Sequence, residues 1–366
     1  MESVVPEKLF DLAVIGAGPA GSSAAITAAR EGLDVALLES GSFPRHKVCG
    51  EFVSGEALPI LESLLPEDEL LTGAPHINTA RVFLDDRVVD FVVQPAAISL
   101  SRHVLDRRLW ESAIAEGVCA IDRVRITAVS RERSVFLIES AGGQVRARVV
   151  INASGRWSNL SSSKQVTAEN WIGLKQHLFE DSTSLYCDLY FFPGGYCGVQ
   201  SLGNGTINVA AMVRADVARS LAGVFGQNRE LALRSRMWKP ATEAVATSPL
   251  IFSPPRTSDG EILLAGDAAA FIDPFAGDGI SMALHSGRLA ALSLAPYLRS
   301  EYSLEAVLEN YDRDYRNLLQ PALKAAARLR LLLQLPKTLR LATLSLLQWP
   351  PLARLAVQQT RVRMVA

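Results

Sequence analysis

Three glycines near the N-terminus have the spacing with which a tight turn approaches a pyrophosphate. Gly16 permits the turn, Gly18 lets the backbone come close to phosphate oxygens, and Gly21 lets the next helix pack closely on the preceding strand. Ala20 completes the GAGPAG motif with them. The first turn of the helix would offer free N–H groups and the positive end of its dipole. The motif therefore predicts a dinucleotide site.

An acidic residue, Glu39, ends the next predicted strand. A carboxylate at that position accepts hydrogen bonds from the hydroxyls of an adenosine ribose. It would repel a 2′-phosphate, so the site suits FAD or NAD rather than NADP. The alternative for the whole motif is an ordinary glycine-rich turn in an α/β protein.

A second motif lies far along the chain, where a buried strand leads into Gly266-Asp267. Asp267 is suitably placed to hydrogen-bond the ribityl chain of a flavin. The backbone of Gly277 and Gly279 would approach the flavin ring, and Ile280 begins the following helix. The alternative is a plain strand–helix connection in which Asp267 caps a helix.

The elements that must position these motifs follow from hydrophobic patterning. A buried strand, a helix rich in small residues and a second buried strand surround the GAGPAG turn, which makes the βαβ unit that opens a doubly wound sheet. Helical periodicity follows, then hairpins, a strand-rich region, another buried strand and a helical end. The predicted ranges are 9–15, 22–31, 33–39, 102–116, 121–151, 166–255, 261–265 and 302–366.

Taken together, GAGPAG with Glu39, the segment Asn152–Arg156 and GDAAAFIDPFAGDGI resemble the flavoprotein superfamily of p-hydroxybenzoate hydroxylase. That superfamily includes aromatic hydroxylases, flavin halogenases and geranylgeranyl reductases. The resemblance covers roughly residues 9–50, 100–160 and 260–300. It implies one FAD between a Rossmann-like domain and a sheet-based substrate lobe, with no second nicotinamide-binding domain.

The expected fold is α/β, a Rossmann-like FAD-binding domain of the GR2 type with an inserted β-sheet lobe and a helical C-terminal segment. The predicted parts are a discontinuous FAD-binding domain (1–80, 100–165 and 260–300), a substrate lobe (81–99 and 166–259) and the C-terminal segment (301–366).

The segment Phe43-Pro-Arg-His-Lys-Val-Cys-Gly50 resembles a geranylgeranyl reductase motif in which Cys-Gly lies near the flavin. The resemblance implies that Arg45 and Gly50 contact the cofactor and that Cys49 faces the active site. Glu51 stands where those reductases carry further glycines, a departure from their pattern. The alternative for Cys49 is a small buried residue with no chemical role.

Three further residues take roles from the same resemblance. Arg102, at the start of a predicted helix, would reach the FAD, the alternative being a solvated arginine. Phe192, followed by Pro193, matches the end of an aromatic pattern on the reductases' substrate lobe, the alternative being a core position. Pro274, with Cys49 and Phe192, is a candidate neighbour of the active site. No catalytic acid or base stands out.

Composition excludes several classes of function. The chain has 366 residues, 49% of them hydrophobic and 20% charged, and a net charge of −1, so nothing steers it toward nucleic acid. Its four cysteines form no CxxC pair and its histidines lack metal-ligand spacing, so we expect no metal site. The N-terminus lacks a signal-peptide pattern and no stretch is long enough to span a bilayer, which favours the cytoplasm.

The C-terminal segment 324–363 mixes leucines with basic residues. Two interpretations stand: a helical cap on the flavin domain, or an amphipathic patch in peripheral contact with a membrane. The basic residues are Lys324, Arg328, Arg330, Lys337, Arg340, Arg354, Arg361 and Arg363.

The leading functional hypothesis is a flavin monooxygenase that hydroxylates an apolar small molecule, such as a polyketide or isoprenoid intermediate, through a flavin C4a-hydroperoxide. The alternative is a double-bond reductase of the geranylgeranyl reductase kind. Two lesser alternatives are a halogenase, whose Trp-x-Trp-x-Ile-Pro signature is absent, and a flavin-binding protein without turnover. NAD(P)H or another external donor would reduce the FAD, and the oligomeric state stays open.

Overall fold

The computed structural model describes residues 8–156, 160, 170–181, 184–333, 335–347, 349, 351–352 and 358–362. Within them, the strands are β1 (Leu9–Ile15), β2 (Val35–Leu38), β3 (Phe52–Val53), β4 (His76–Leu84), β5 (Arg87–Ser99), β6 (Cys119–Ile121), β7 (Ile126–Glu132), β8 (Val135–Ser140), β9 (Gly143–Asn152), β10 (Trp171–Phe179), β11 (Tyr186–Phe192), β12 (Gly195–Gly203), β13 (Thr206–Arg214), β14 (Lys239–Pro240), β15 (Val245–Thr247), β16 (Ser258–Asp259) and β17 (Ile262–Leu264). The α-helices are α1 (Pro19–Arg30), α2 (Leu58–Leu64), α3 (Glu69–Thr72), α4 (Arg102–Ala115), α5 (Leu221–Phe225), α6 (Arg229–Arg234), α7 (Gly279–Leu298), α8 (Leu304–Leu318), α9 (Gln320–Leu333) and α10 (Lys337–Leu347).

The first sheet is built on parallel strands in the order β17-β9-β1-β2-β6. All four side chains of β2 and most of β1 are buried, as expected for strands covered on both faces. The antiparallel strand β16 pairs with β17, and the β7–β8 hairpin continues the sheet from β9. The carboxyl ends of β1, β2 and β17 carry the sequence motifs to one edge of this sheet.

Small residues let α1 and α7 pack against each other over this sheet. A Cβ at Gly287 would collide with the carbonyl group of Ala20, and a Cβ at Gly21 would collide with the carbonyl oxygen of Gly16. Glycine is therefore required at both positions by close backbone approach. This packing brings two segments that are far apart in sequence to the same edge of the sheet.

The second sheet has the order β14-β10-β13-β12-β11-β4-β5-β3, with β15 beside β10. Its pairings are antiparallel except between β11 and β4. It contains β3 and all of β4, so segments 52–53 and 76–80 lie in the sheet that the sequence predicted to begin at residue 81. The domain boundaries themselves stay predictions.

The C-terminal segment is helical over α8–α10. Tyr311 and Tyr315 of α8 are fully buried, and the Tyr311 hydroxyl donates to the carbonyl oxygen of Leu264 at 2.7 Å. Arg354 and Arg363 lie outside the described residues. Among the described helices, none has the length and hydropathy needed to cross a membrane. The α/β fold with a helical C-terminal segment, predicted from the sequence, is confirmed.

Candidate functional site

The glycine-rich turn leaves the start of α1 open. Gly18 is the N-cap residue, no side chain caps the helix, and Pro19 occupies the first turn. A Cβ at Gly18 would meet only the Arg102 guanidinium, at 3.7 Å, so the space beside this glycine is free of other protein atoms among the described residues. Backbone N–H groups at a helix start that no side chain caps, with open space beside Gly18, fit a phosphate.

Glu39 holds this turn in place. Its Oε2 accepts from the backbone N–H of Ala17 at 2.9 Å, and its Oε1 accepts from Gly41 N–H at 2.8 Å and from Arg45 at 2.6 Å. Burial raises the pKa of Glu39, but Arg45 and the backbone N–H groups outweigh it and bring that pKa to about 2. Glu39 is thus an ionised anchor between β2 and the turn, a role the sequence did not reveal.

The Nε atom of Arg45 makes no hydrogen bond to the described residues, although the guanidinium pairs with Glu39 through Nη1. The guanidinium carbon lies 4.7 Å from the centre of the Phe43 ring, and the Nε atom is buried. A buried donor without an acceptor is costly, so this atom fits a polar group of a bound cofactor.

The second motif lies directly against the first. Gly266 has a φ of +61°, and a Cβ there would lie 2.8 Å from the Cβ of Ala20. Asp267 follows in a short 3₁₀ turn, partly exposed, with Arg156 Nε at 3.6 Å from its Oδ2. The structure thus brings together two motifs separated by most of the chain.

The loop after this motif turns sharply before α7. Pro274 begins a 3₁₀ turn, Gly277 adopts the left-handed conformation with a φ of +70°, and Gly279 begins α7. Between the two glycines, Asp278 is fully buried and accepts from the Ser54 hydroxyl at 2.6 Å. Burial raises the pKa of Asp278 to about 6.

Residues near the C-terminus contact the same loop. The Val362 N–H donates to Asp278 Oδ2 at 3.0 Å, and Arg361 donates to the carbonyl oxygen of Ala276 at 3.0 Å. Val362 is buried as well. The sequence indicated a basic C-terminal segment but contained no signal that it would reach this loop.

Cys49 and Arg102 are neighbours beside the start of α4. Arg102 forms a two-bond ion pair with Asp106 at 2.5 and 2.7 Å, and Cys49 Sγ accepts from the backbone N–H of Glu51 at 3.3 Å. Burial raises the pKa of the Cys49 thiol, which disfavours the nucleophilic thiolate. A Cβ at Gly50 would meet no atom within 4 Å among the described residues.

Glu51 forms a buried polar network that sequence reasoning missed. Its Oε1 accepts from Lys175 Nζ at 2.7 Å and from the backbone N–H of Arg102 at 2.8 Å, and its Oε2 lies 2.7 Å from His177 Nε2. Burial raises the pKa of Glu51, but the His177 hydrogen bond and the Lys175 charge lower it more. Glu51 therefore stays ionised in the protein interior.

The backbone of the segment Cys49–Glu51 is fixed by hydrogen bonds, as the Glu51 side chain is. The Glu51 φ of +59° is unusual for a residue with a side chain. Gln200 donates to the Glu51 carbonyl oxygen at 2.8 Å, and Asn208 donates to the carbonyl oxygens of Cys49 and Gly50 at 3.1 and 2.8 Å. Strands of the second sheet thus fix the Cys-Gly-Glu segment.

Two histidines extend this network toward the surface. His46 Nδ1 lies 3.5 Å from Lys175 Nζ, and the His46 ring stacks on His103 with their centres 4.6 Å apart. Burial and then the Lys175 charge lower the pKa of His46 to about 4. His46 is therefore neutral at neutral pH.

Aromatic rings of the second sheet face the loop that begins at Pro274. Phe275 lies 6.1 Å from both Phe191 and Tyr196, measured between ring centres. Phe252 stacks on Phe271 at 5.1 Å in the same apolar cluster. We call these five residues the aromatic cluster.

The side chain of Phe192 lies outside the aromatic cluster. Side chains alternate along β11, so Phe192 points to the face opposite Phe191 and packs in the core with Leu174, Val213 and Leu221. Its proposed place beside the active site gains no support from this packing. The neighbouring Phe191 is the ring that contacts Phe275.

Comparison with known proteins identifies the family. The family model for FAD dependent oxidoreductases matches residues 11–158. The digeranylgeranylglycerophospholipid reductase of Methanosarcina acetivorans is 30% identical over 338 residues, which cover 84% of this chain and 81% of that protein. The chain belongs to the geranylgeranyl reductase family of FAD-dependent oxidoreductases. It is therefore an enzyme whose cofactor is FAD, as the sequence predicts.

Solved structures agree with this fold. A geranylgeranyl bacteriochlorophyll reductase-like protein from Thermoplasma acidophilum matches with a TM-score of 0.76 and 21% identity, covering 98% of this oxidoreductase and 94% of that chain. The flavin-dependent brominase Bmp2 matches with a TM-score of 0.80 and 20% identity, covering 96% and 93%. At these identities the likeness shows the fold alone.

Proposed function

We propose that this enzyme reduces carbon–carbon double bonds in an isoprenoid chain. The observation that carries the proposal is the similarity, over more than four fifths of the chain, to a reductase whose substrate name specifies geranylgeranyl groups. A geranylgeranyl group is an unsaturated hydrocarbon chain. This alternative has more support than the leading sequence hypothesis of a monooxygenase, because the curated relative is a reductase.

The aromatic cluster supports a hydrocarbon substrate. Phe252 and Phe271 line a cavity of about 290 Å³ that lies against the segment Ile272–Asp273, just before the loop at Pro274. These rings, with Ile272 and Leu323, form an apolar side of the cavity that suits an apolar ligand, while charged groups line its other side. Small, lipophilic molecules are therefore the expected substrate class.

Three features of the structure match the chemical groups of FAD. The open start of α1 suits the pyrophosphate, the unpartnered Arg45 Nε suits a polar group, and the partly exposed Asp267 suits the ribityl chain. The full set of FAD contacts proposed from the sequence is Gly16, Gly18, Ala20, Gly21, Glu39, Arg45, Gly50, Arg102, Gly266, Asp267, Gly277, Gly279 and Ile280. In this structure both Glu39 oxygens already accept hydrogen bonds within the protein, so its contribution would be to hold the turn. Cys49 and Pro274 lie beside the proposed contacts as candidate neighbours of the active site.

When bound and reduced, FAD supplies a hydride, and the chain supplies binding, orientation and protons. An external donor such as NAD(P)H provides the electrons. The aromatic cluster would exclude water and hold the hydrocarbon chain against the Pro274 loop.

Mass spectrometry and oxygen consumption test the proposal. The FAD-loaded enzyme would be incubated anaerobically with reduced nicotinamide or dithionite and a geranylgeranyl lipid. Each reduced double bond adds two hydrogen atoms to the product. Product formation without oxygen supports a reductase. A product that gains an oxygen atom, and forms only while O₂ is consumed, would support the monooxygenase instead.

The C-terminal helices support a proposal of peripheral membrane contact. Leu331, Leu339 and Trp349 expose 61%, 54% and 62% of their surface. Arg340 is tied to Asp85 at 2.6 and 2.7 Å, so α10 also packs against the β4–β5 turn as a cap would. Co-sedimentation with anionic vesicles tests the contact, and Leu339→Glu should weaken it if these side chains enter the membrane.

A further inference from the structure

Asp273 is a buried carboxyl group that the proposed function has not yet used. Its side chain is 3% exposed, and its Oδ1 has no hydrogen-bond partner in the described part of the chain. The residue lines the cavity of about 290 Å³ and directly precedes Pro274. An unpaired buried oxygen calls for a functional explanation, because leaving it unsatisfied costs stability.

The surroundings of Asp273 are apolar on one side and cationic on the other. Phe252 and Phe271 line the cavity beside it, and Arg330 Nη1 of α9 lies 3.5 Å from Asp273 Oδ2. The Arg330 guanidinium also stacks on Phe252, 4.1 Å from its ring centre. Lys324 of α9 lines the same cavity, and Tyr196 of β12, in the second sheet, interacts electrostatically with Asp273.

Burial raises the pKa of Asp273 to about 7, although the Arg330 charge opposes that rise. A carboxyl group with a pKa near neutrality holds a proton for part of the time and recovers it readily, which suits acid catalysis. Burial raises the pKa of Tyr196 well above its ordinary value, and it also raises that of Cys49. Those two groups therefore release protons far less readily.

We propose that Asp273 is the general acid that delivers the proton to the substrate during double-bond reduction. This inference rests on the proposed function. With FAD bound and reduced, one alkene carbon would receive the hydride that the flavin supplies as it is oxidised, and the other carbon would receive the proton from Asp273. The resulting carboxylate takes a proton from solvent through the cavity, and the external two-electron donor reduces the flavin again.

The first test replaces the acid with its isosteric amide. In Asp273→Asn, the kcat of alkene reduction should fall by about 10²–10⁴-fold, the usual contribution of general acid catalysis. FAD content and the rate of flavin reduction by the external donor should stay within about twofold of wild type, because neither step uses this proton. An unchanged kcat would overturn the inference.

The pH profile provides a readout that a purely structural role would not change. Wild-type kcat should decline as pH rises through about 7, where Asp273 loses its proton, and residual activity of Asp273→Asn should lack this decline. Arg330→Met removes the opposing positive charge, so the decline should move to higher pH. Arg328→Met removes an exposed positive charge on the same helix but outside the cavity lining, so it is the matched control and should leave the decline in place.

A second readout needs no turnover. The folded-state pKa of Asp273 lies above its ordinary value of 3.8, so its contribution to stability is present at low pH and is lost as pH rises from about 4 through about 7. The unfolding free energy of Asp273→Asn should therefore increase relative to wild type over that range. A difference between the two proteins that does not vary with pH would contradict the raised pKa.

The outcomes separate the two proposals. If the wild-type enzyme binds FAD but reduces no isoprenoid double bond, the proposed function is wrong and Asp273 is not a proton donor to carbon. If wild type reduces the double bond and Asp273→Asn does so equally well with the same pH profile, only the role of Asp273 is wrong.

Discussion

Lys175 and Glu51 form an ion pair of 2.7 Å in which the two side chains are 1% and 0% exposed. They are 124 residues apart in sequence and join the Cys-Gly-Glu segment to β10. Removing one partner of a buried pair leaves an uncompensated charge, whereas exposed pairs contribute little.

Lys175→Met should therefore destabilise the protein by roughly 3–5 kcal/mol, because it strands the Glu51 carboxylate in the interior. Urea unfolding measures the change. Lys8→Met is the matched control, since Lys8 pairs with Asp34 on the surface, and it should cost less than about 1 kcal/mol. If both variants lose the same unfolding free energy, the buried pair contributes no more to stability than the surface pair.

Acid should destabilise the protein in part through His46. Its folded-state pKa of about 4 lies below its ordinary value of 6.5, so the unfolded chain takes up the proton first as the pH falls. This contribution to stability is complete above about pH 6.5 and is lost progressively down to about pH 4. The titratable groups that interact with His46 are Lys175, His177, His103 and Glu51.

His46→Gln should flatten that part of the curve of unfolding free energy against pH. His76→Gln, at an exposed position in β4, is the control and should leave the curve unchanged. If His46→Gln and wild type lose stability in parallel between about pH 6.5 and about pH 4, His46 does not titrate with a lowered pKa.

Gly18→Val should abolish retention of FAD while leaving the fold intact. A Cβ at Gly18 would meet only Arg102 at 3.7 Å, but the larger side chain would occupy the space proposed for the pyrophosphate. Absorbance of the purified protein gives the FAD content, and circular dichroism checks the fold. Gly142→Ala, with no atom closer than 3.9 Å to the added Cβ, should stay yellow. A fully loaded Gly18→Val protein would contradict the pyrophosphate assignment.

Asp267→Ala should weaken FAD binding by about 10–100-fold, the usual value of a hydrogen bond to a charged group. Its nearest charged partner, Arg156, is 3.6 Å away and the side chain is partly exposed, so stability should change by less than about 1 kcal/mol. Fluorescence titration of the apoprotein with FAD measures the affinity. Asp216→Ala, on an exposed pair with Arg214, is the control. Equal FAD affinities for the two variants would exclude the ribityl role.

The FAD-binding fold was predictable because its requirements are local. Gly16 and Gly266 have positive φ angles, and Gly21 is forced by close backbone approach, so residue type reports backbone geometry directly. The buried strands around the turn are visible as apolar runs. The order of motifs along the chain then indicated a discontinuous site, and the packing of Gly266 against Ala20 brings its two halves together.

The Glu51 network and the environment of Asp273 were not predictable from the sequence. Spacing along the chain carries no signal that Glu51 meets Lys175 and His177, because their contact depends on how two distant segments pack. Likewise, alternation places Phe191 and Phe192 on opposite faces of β11, but the sequence does not show which face is turned toward the loop at Pro274. That depends on the register and tilt of the second sheet. By itself, the sequence determined the cofactor and the fold, because conformational and hydrophobic requirements are encoded residue by residue. Only the tertiary structure decided which charges are buried together and which carboxyl group keeps a proton near neutral pH, because both depend on the dielectric environment and charges that distant segments create.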